Sequence, residues 1–276
     1  MVASEMAVLK EQIRNYRIDI IKMLHRAGSG HPGGSLSAID IIATLYHHEM
    51  KHDPKRPEWP DRDVFVMSKG HGVPAQYAVM AGMGYFPKDE LATLRQINSR
   101  LQGHPSVGFL PGIEASTGSL GMGLSFAAGV ALAAKMDGKA NRVYCIMGDG
   151  ETQEGQVWEA ALAAPKFKLD NLVGIVDYNK GQIDGPTSEV MDLEPIADKW
   201  KAFNWHTIVI DGHDLDAIHG ALQEARNTKG KPTMIVAHTV KGKGVSFMEG
   251  VIDWHGAAPN DAQTEQALAE LEGAQS

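Results

Sequence analysis

Two short segments place hard oxygen donors at a spacing that could hold a metal ion. Asp149 stands in Gly148-Asp149-Gly150, and Asn179 follows thirty positions later in Asp177-Tyr178-Asn179-Lys180-Gly181. A carboxylate and an amide oxygen suit Mg²⁺ or Ca²⁺, and a helix opening at Glu151 would turn free N–H groups toward a phosphate. The pair predicts a metal-bridged diphosphate. Gly-Asp-Gly alone is equally the spelling of a tight strand-to-helix turn, and only the paired spacing lifts it above that reading.

Histidine supplies a second set: Gly30-His31-Pro32, Gly70-His71-Gly72, Gly103-His104-Pro105 and Trp254-His255-Gly256. Taken singly, each reads as a hydrogen-bonded turn histidine. Four in the same loop setting predict a shared polar pocket. Neither C-x-x-C nor H-x-x-x-H spacing occurs among them, so zinc is not expected. His47, His48 and His219 are assigned to surface or packing roles. Thr117-Gly118-Ser119-Leu120-Gly121-Met122-Gly123 opens a helix whose small residues admit either a ligand or another helix. Lys241-Gly242-Lys243-Gly244 is a solvated basic turn or an anion contact. Gly28-Ser29-Gly30-His31-Pro32-Gly33 spells G-x-G-x-x-G, yet it follows a helix and carries a proline, so a dinucleotide site is not expected. No P-loop motif is present.

These candidates need a frame that brings distant segments together. Between Ser4 and Ala27 the apolar residues Leu9, Ile13, Tyr16, Ile20, Ile21 and Leu24 recur at steps of three and four, which predicts an amphipathic helix. Gly28 to Gly34 ends it, and a second helical pattern runs from Leu36 to Tyr46. The proline- and charge-rich run from His52 to Asp63 reads as a surface loop. A short strand from Asp63 leads into Lys69-Gly70-His71-Gly72 and a helix near Pro74 to Met83. The runs VYCIM from Val143, LVGIVDY from Leu172, HTIVI from His206 and TMIVAH from Thr233 are continuously apolar, as expected of strands buried on both faces. Helical patterns at about Gln153 to Ala164, Glu194 to Lys201 and Asp214 to Asn227 separate them. The alternation predicts an α/β fold, a doubly wound, mainly parallel sheet covered by helices. One domain over residues 1–276 is expected, with a polar C-terminal tail at about 260–276. Ligands of such sheets bind beyond the carboxyl ends of the strands, where Asp149 and Asn179 fall.

Composition narrows the class. Against 34 acidic residues stand 26 Lys and Arg, a formal net charge of −8 over 276 residues, which argues against a nucleic-acid-binding face. The lone Cys145 cannot form an internal disulfide, so a reducing, cytoplasmic setting is expected. The N-terminal stretch is charged where a signal peptide would be apolar, and no apolar stretch approaches the ~18 residues of a membrane span.

The ordered series SGHPGG, SKGHG, GHPSVGFLPGIEASTGSLGMG, GDGETQEG, DYNKGQIDG and VKGKG with WHGAAP resembles the thiamine-diphosphate-binding N-terminal part of transketolases, and it spans nearly the whole chain. The resemblance implies the thiamine-diphosphate-binding fold and a cofactor pair of thiamine diphosphate and Mg²⁺, with Ca²⁺ or Mn²⁺ as substitutes. It makes Asp149 and Asn179 side-chain metal ligands, with the carbonyl of Gly181 as a third. It places Gly150 on the diphosphate and Gly118, Ser119 and Leu120 on the cofactor by main chain. His71 and His255 would serve the diphosphate end and the reacting region, His31 and His104 the substrate, and Glu154 an interface between subunits. The implied reaction transfers a two-carbon ketol unit from a ketose, usually phosphorylated, to an aldose.

Full-length transketolases continue with a pyrimidine-binding domain and a further C-terminal domain, whereas this sequence stops. That implies the N-terminal subunit of a split transketolase, partnered by a separate C-terminal subunit in an α2β2 assembly. The alternatives are a 1-deoxyxylulose-5-phosphate synthase-like half-enzyme and a noncatalytic cofactor-binding regulatory subunit. Paired Gly-His-Pro motifs at His31 and His104 favour transketolase. Ser35, Ser37 and Met122 depart from the family pattern and bear on sugar specificity, where apiose-derived and sulfonated sugars stay open.

Overall fold

The computed structural model describes residues 1–273. Helix α1 (Ala3–Ala27) buries Leu9, Ile13, Tyr16, Ile20, Ile21 and Leu24, as their spacing along one face requires. Helix α2 (Pro32–Thr44) begins four residues before the apolar periodicity does. Pro32 occupies the first turn, where a missing N–H costs nothing, so Gly33 and Gly34 belong to the helix and not to the linker expected there. The chain continues through α3 (Val73–Met83), α4 (Met122–Met136) and α5 (Gly155–Lys166). Then follow α6 (Thr187–Val190), α7 (Ile196–Ala202), α8 (Leu215–Asn227) and α9 (Asp261–Gly273). Asp214 caps α8 by accepting from the N–H groups of Asp216 and Ala217, which satisfies two donors a helix start leaves open.

The strands are β1 (Val64–Met67), β2 (Val143–Gly148), β3 (Leu172–Tyr178), β4 (Gly181–Gln182), β5 (Gly185–Pro186), β6 (His206–Asp211) and β7 (Thr233–His238). Five of them form a parallel sheet in the order β1-β2-β3-β7-β6. β4 and β5 make a small antiparallel ribbon beyond the end of β3. Alternate residues of each strand point to opposite faces, and both faces are apolar. Tyr144 and Ile146 join a core with α1, α2, α3, α8 and α9, while Val143, Cys145 and Met147 join one with α4, α5 and α7. The parallel sheet between two helical layers is the expected architecture.

Three expectations need correction. β6 is not buried on both faces: it is an edge strand paired only with β7, and Val209 is 49% exposed. The segment after residue 260 is not merely polar. It forms α9, which seats Ala267 and Leu271 in the core beside α1. Residues 274–276 of the expected tail lie outside the described residues. Finally, no α-helix opens at Glu151. A 3-10 turn over Gly150–Gln153 intervenes, and α5 starts at Gly155. Among the described residues no helix is long and apolar enough to cross a membrane.

Candidate active site

A cleft of about 190 Å³ lies beyond the carboxyl ends of the central strands, lined by His71, Leu120, Asp149, Gly150, Glu154, Asn179, Gly181 and His255 with Lys69 and Lys241. A larger groove of about 600 Å³ runs among Leu162, Pro165, Phe203 and Lys231. That groove sits where strands begin and holds none of the expected residues.

Asp149 directly follows β2 and Asn179 directly follows β3. Parallel pairing of Gly148 with Asp177 sets these two strand ends side by side. Asp149 is buried, and its oxygens accept from the N–H groups of Gly150, at 2.7 Å, and Lys180. The Gly150 N–H is therefore already engaged and is not the free donor expected of a helix start. Burial, and secondarily the charge of Asp177, push the Asp149 carboxyl up to about 6. The Asn179 amide is held at both ends: Nδ2 donates to Asp177 at 3.0 Å, and Oδ1 accepts from the Gly181 N–H at 3.2 Å. Among the described residues no three His, Cys, Asp or Glu side chains converge as a metal set. The Asp149, Asn179 and Gly181 combination has only one such side chain.

The four loop histidines converge. His31 immediately precedes α2, His71 lies in the 3-10 turn Gly70–Gly72, and His255 ends the turn Ile252–His255. The His31 ring lies 5.1 Å from His71, 5.7 Å from His255 and 6.2 Å from His104, and His71 lies 5.1 Å from His255. Burial and neighbouring cations keep the cluster uncharged. His31 is lowered to about 4 by burial and then by Arg95, His104 and Lys241. His255 falls to about 3 by burial and then Lys241. His71 lies well below the usual range through burial and Lys69, and His104 is lowered by burial and Arg95. At neutral pH these rings are hydrogen-bonding groups and not cations. His31 Nδ1 is buried without a hydrogen-bond partner.

Lys241 Nζ lies 3.2 Å from His255 Nδ1. An ammonium only donates, so Nδ1 is the acceptor and Nε2 carries the His255 proton. Burial and the charge of Lys69 lower Lys241 to about 8. Gly33 makes this approach possible, because a Cβ there would stand 2.7 Å from Lys241 Cγ and 2.9 Å from the Trp254 carbonyl. The Gly118–Leu120 turn faces the same cleft through Leu120, with Ser119 exposed beside it. It closes at Gly121, whose φ of 88° suits glycine and whose Cβ would fall 2.7 Å from Glu154 Cβ.

Three buried groups of the site were not singled out from the sequence. Lys69 pairs with Asp177. Glu151 accepts from Ser68 Oγ, Gly121 N and Gly148 N, so it ties the Gly118–Gly121 turn to the end of β2. Lys69, Glu151 and Asp177 all lie inside the motifs already described. Their types gave no hint that they would be buried and paired.

Residues 8–273 match the family described as transketolase, thiamine diphosphate binding domain. The chain is 47% identical over 264 residues to the 6-deoxy-6-sulfo-D-fructose transketolase subunit SqwG of Clostridium sp. (strain MSTE9), with 96% of each chain covered. It is 42% identical over 267 residues to one of the named subunits of the apulose-4-phosphate transketolase of Phocaeicola vulgatus, covering 97% of this chain and 95% of that one. Against human transketolase the identity is also 42%, over 97% of this chain but only 42% of the human protein. The transketolase structure from Leishmania mexicana superposes with a TM-score of 0.90 at 35% identity, over 96% of this chain and 41% of that one. The chain belongs to the transketolase family as its thiamine-diphosphate-binding part, with the extent of the separate subunits rather than of the full-length enzymes.

Proposed function

We propose that this chain is the N-terminal half of a two-chain transketolase, holding thiamine diphosphate through Asp149, Asn179 and Gly181 and presenting four neutral histidines to a sugar. The observation that carries the reading is the convergence in one cleft of both oxygen donors with His71 and His255, with the His31 ring against both of those rings and His104 against His31. Thiamine diphosphate, when bound, supplies the electron sink that lets a ketose carbon–carbon bond break and a two-carbon unit pass to an aldehyde.

The chain's own residues fit that cofactor and a divalent cation. Asp149 and Asn179 offer hard oxygens, and the charge on Asp149 is disfavoured by burial in the way a cation relieves. Mg²⁺ suits this set, with the Gly181 carbonyl as third protein ligand; Ca²⁺ and Mn²⁺ satisfy the same donor chemistry. Lys69 and Lys241 bring positive charge to the diphosphate end. Gly150 and the main chain of Gly118, Ser119 and Leu120 flank the cofactor. His255 presents an Nε2–H donor because Lys241 occupies Nδ1. His31 and His104 meet substrate hydroxyl or carbonyl oxygens, and a neutral imidazole there can donate a hydrogen bond or accept a hydroxyl proton. Glu154, exposed at the mouth of the cleft, faces an interface between subunits.

The matched subunits carry names for one sulfonated and one phosphorylated sugar, which supports a ketose with a terminal anion as donor. Their naming as subunits equally supports a partner chain carrying the pyrimidine-binding domain, arranged as α2β2 because related sites form between protein surfaces. The single buried Cys145 fits a cytoplasmic setting. Retention of the oxygen pair and all four histidines speaks against a noncatalytic regulatory role. Mass in solution of this chain mixed with its candidate partner tests the assembly. A complex of two copies of each is expected, and two chains that stay apart would overturn the proposal.

A further inference from the structure

Asp177 is fully buried at the carboxyl end of β3, the middle strand of the sheet. Its register partners are Gly148 and Ala237, so it lies between the end of β2 and the end of β7. Removing a carboxylate from water costs several kcal/mol, roughly, unless it is paired and fully hydrogen-bonded. Here every donor is supplied by a different segment. Oδ2 accepts from Ser37 Oγ of α2 at 2.6 Å, from Asn179 Nδ2 at 3.0 Å and from Lys69 Nζ, and Oδ1 accepts from Thr239 Oγ1.

Two consequences follow for the cleft. The first concerns Asn179, whose amide has a donor end and an acceptor end. Its donor end meets the Asp177 carboxylate and its acceptor end meets the Gly181 N–H. Turning the amide over would set oxygen against carboxylate and N–H against N–H, so the oxygen is fixed away from Asp177. The second concerns Lys69, which lines the same cleft as Asp149. Its ammonium is held between Asp177 and the Gly34 carbonyl, the latter at 2.6 Å. Pinned there, it does not neutralise Asp149 in place of a cation.

We infer that Asp177 is the positioning residue of the metal and diphosphate site: it fixes the Asn179 oxygen for the cation and holds the Lys69 ammonium apart from Asp149. The inference rests on the metal site proposed above. Groups that orient a metal ligand without touching the metal change affinity by about ten- to a hundredfold when altered.

The experiment titrates Mn²⁺ into the full chain with saturating thiamine diphosphate, read by calorimetry and by the electron paramagnetic resonance of free Mn²⁺. Thermal unfolding without metal or cofactor accompanies it. D177N is expected to bind Mn²⁺ at least about tenfold more weakly. S37A and T239V each remove one donor and leave the carboxylate in place. They keep D177N from being the sole test should it fail to fold, and each is expected to weaken Mn²⁺ about two- to fivefold. Wild-type Mn²⁺ affinity in a folded D177N, or in both S37A and T239V, would overturn the inference. D149A serves as the reference: if it too binds Mn²⁺ normally, the metal site itself is misplaced, whereas loss in D149A with normal D177N rejects only the role of Asp177.

Discussion

Protons and a divalent cation should compete for Asp149 within the accessible pH range. Its carboxyl stands at about 6 in the metal-free cleft, raised first by burial and then by the Asp177 charge. The folded, metal-free chain therefore takes up a proton on Asp149 as pH falls through about 6, and metal binding must displace it. For one competing proton, apparent affinity falls by the factor 1 + 10^(pKa − pH), a loss of about a tenth at roughly pH 7 and about tenfold at roughly pH 5. The assay is calorimetric titration of Mg²⁺ at saturating thiamine diphosphate across that range, with Asp149→Asn alongside. The variant keeps the shape, offers one neutral oxygen and cannot titrate. Its affinity should drop more than about tenfold at neutral pH, through loss of the charged ligand. Any pH dependence it retains belongs to the diphosphate and can be subtracted. Both Asp149 oxygens accept backbone N–H groups, so the amide sets its NH2 against one of those donors, and thermal unfolding of the metal-free variant measures that cost apart from the loss of the charged ligand. The reasoning fails if the difference between the two proteins is flat with pH, or if Asp149→Asn binds Mg²⁺ as tightly as the wild type.

Substituting His31 or His104 by Ala should lower ketol transfer in the reconstituted enzyme by about a hundredfold or more, with cofactor affinity held near wild type. Steady-state kinetics and calorimetry decide this together, and loss of cofactor binding without a separate substrate defect would show the role to be misassigned. Lys241, lowered to about 8 by burial and the Lys69 charge, should be driven back to its charged form by a neighbouring diphosphate. Cofactor binding above about pH 8 should then take up protons, seen as a binding enthalpy that varies with buffer ionisation. A buffer-independent enthalpy, or identical uptake in Lys241→Met, would contradict that placement.

Much of this arrangement is legible in the sequence. Continuous apolar runs mark β2, β3 and β7 because those strands are covered on both faces, and their carboxyl ends locate Asp149 and Asn179. The same logic overreaches at β6, where an apolar run of the same kind is an edge strand. Which strand ends a sheet depends on the pairing order, and local sequence does not carry it. Gly33 and Gly34 read as a break, yet they form the first turn of α2. The missing side chain at Gly33 serves the approach of Lys241 and the Trp254 carbonyl across 200 residues of sequence and more. The histidines are recognisable from their loop setting, but their neutrality is not, since it arises from burial and from Lys69, Arg95 and Lys241 gathered by the fold. Asp177, Lys69 and Glu151 escape notice for a related reason. A charged residue in a motif reads as solvated until its partners, tens of residues or more away, are known to meet it.

The most direct test of the half-enzyme account is ketol transfer measured for this chain alone, for its candidate pyrimidine-domain partner alone, and for the two mixed with thiamine diphosphate and Mg²⁺. In the proposed half-enzyme this chain supplies the diphosphate anchor and part of the sugar pocket, and the partner supplies the grip on the aminopyrimidine and the shielding from water. Transfer should therefore be absent from either chain alone and appear on mixing. Full turnover by the isolated 276-residue chain would contradict the account.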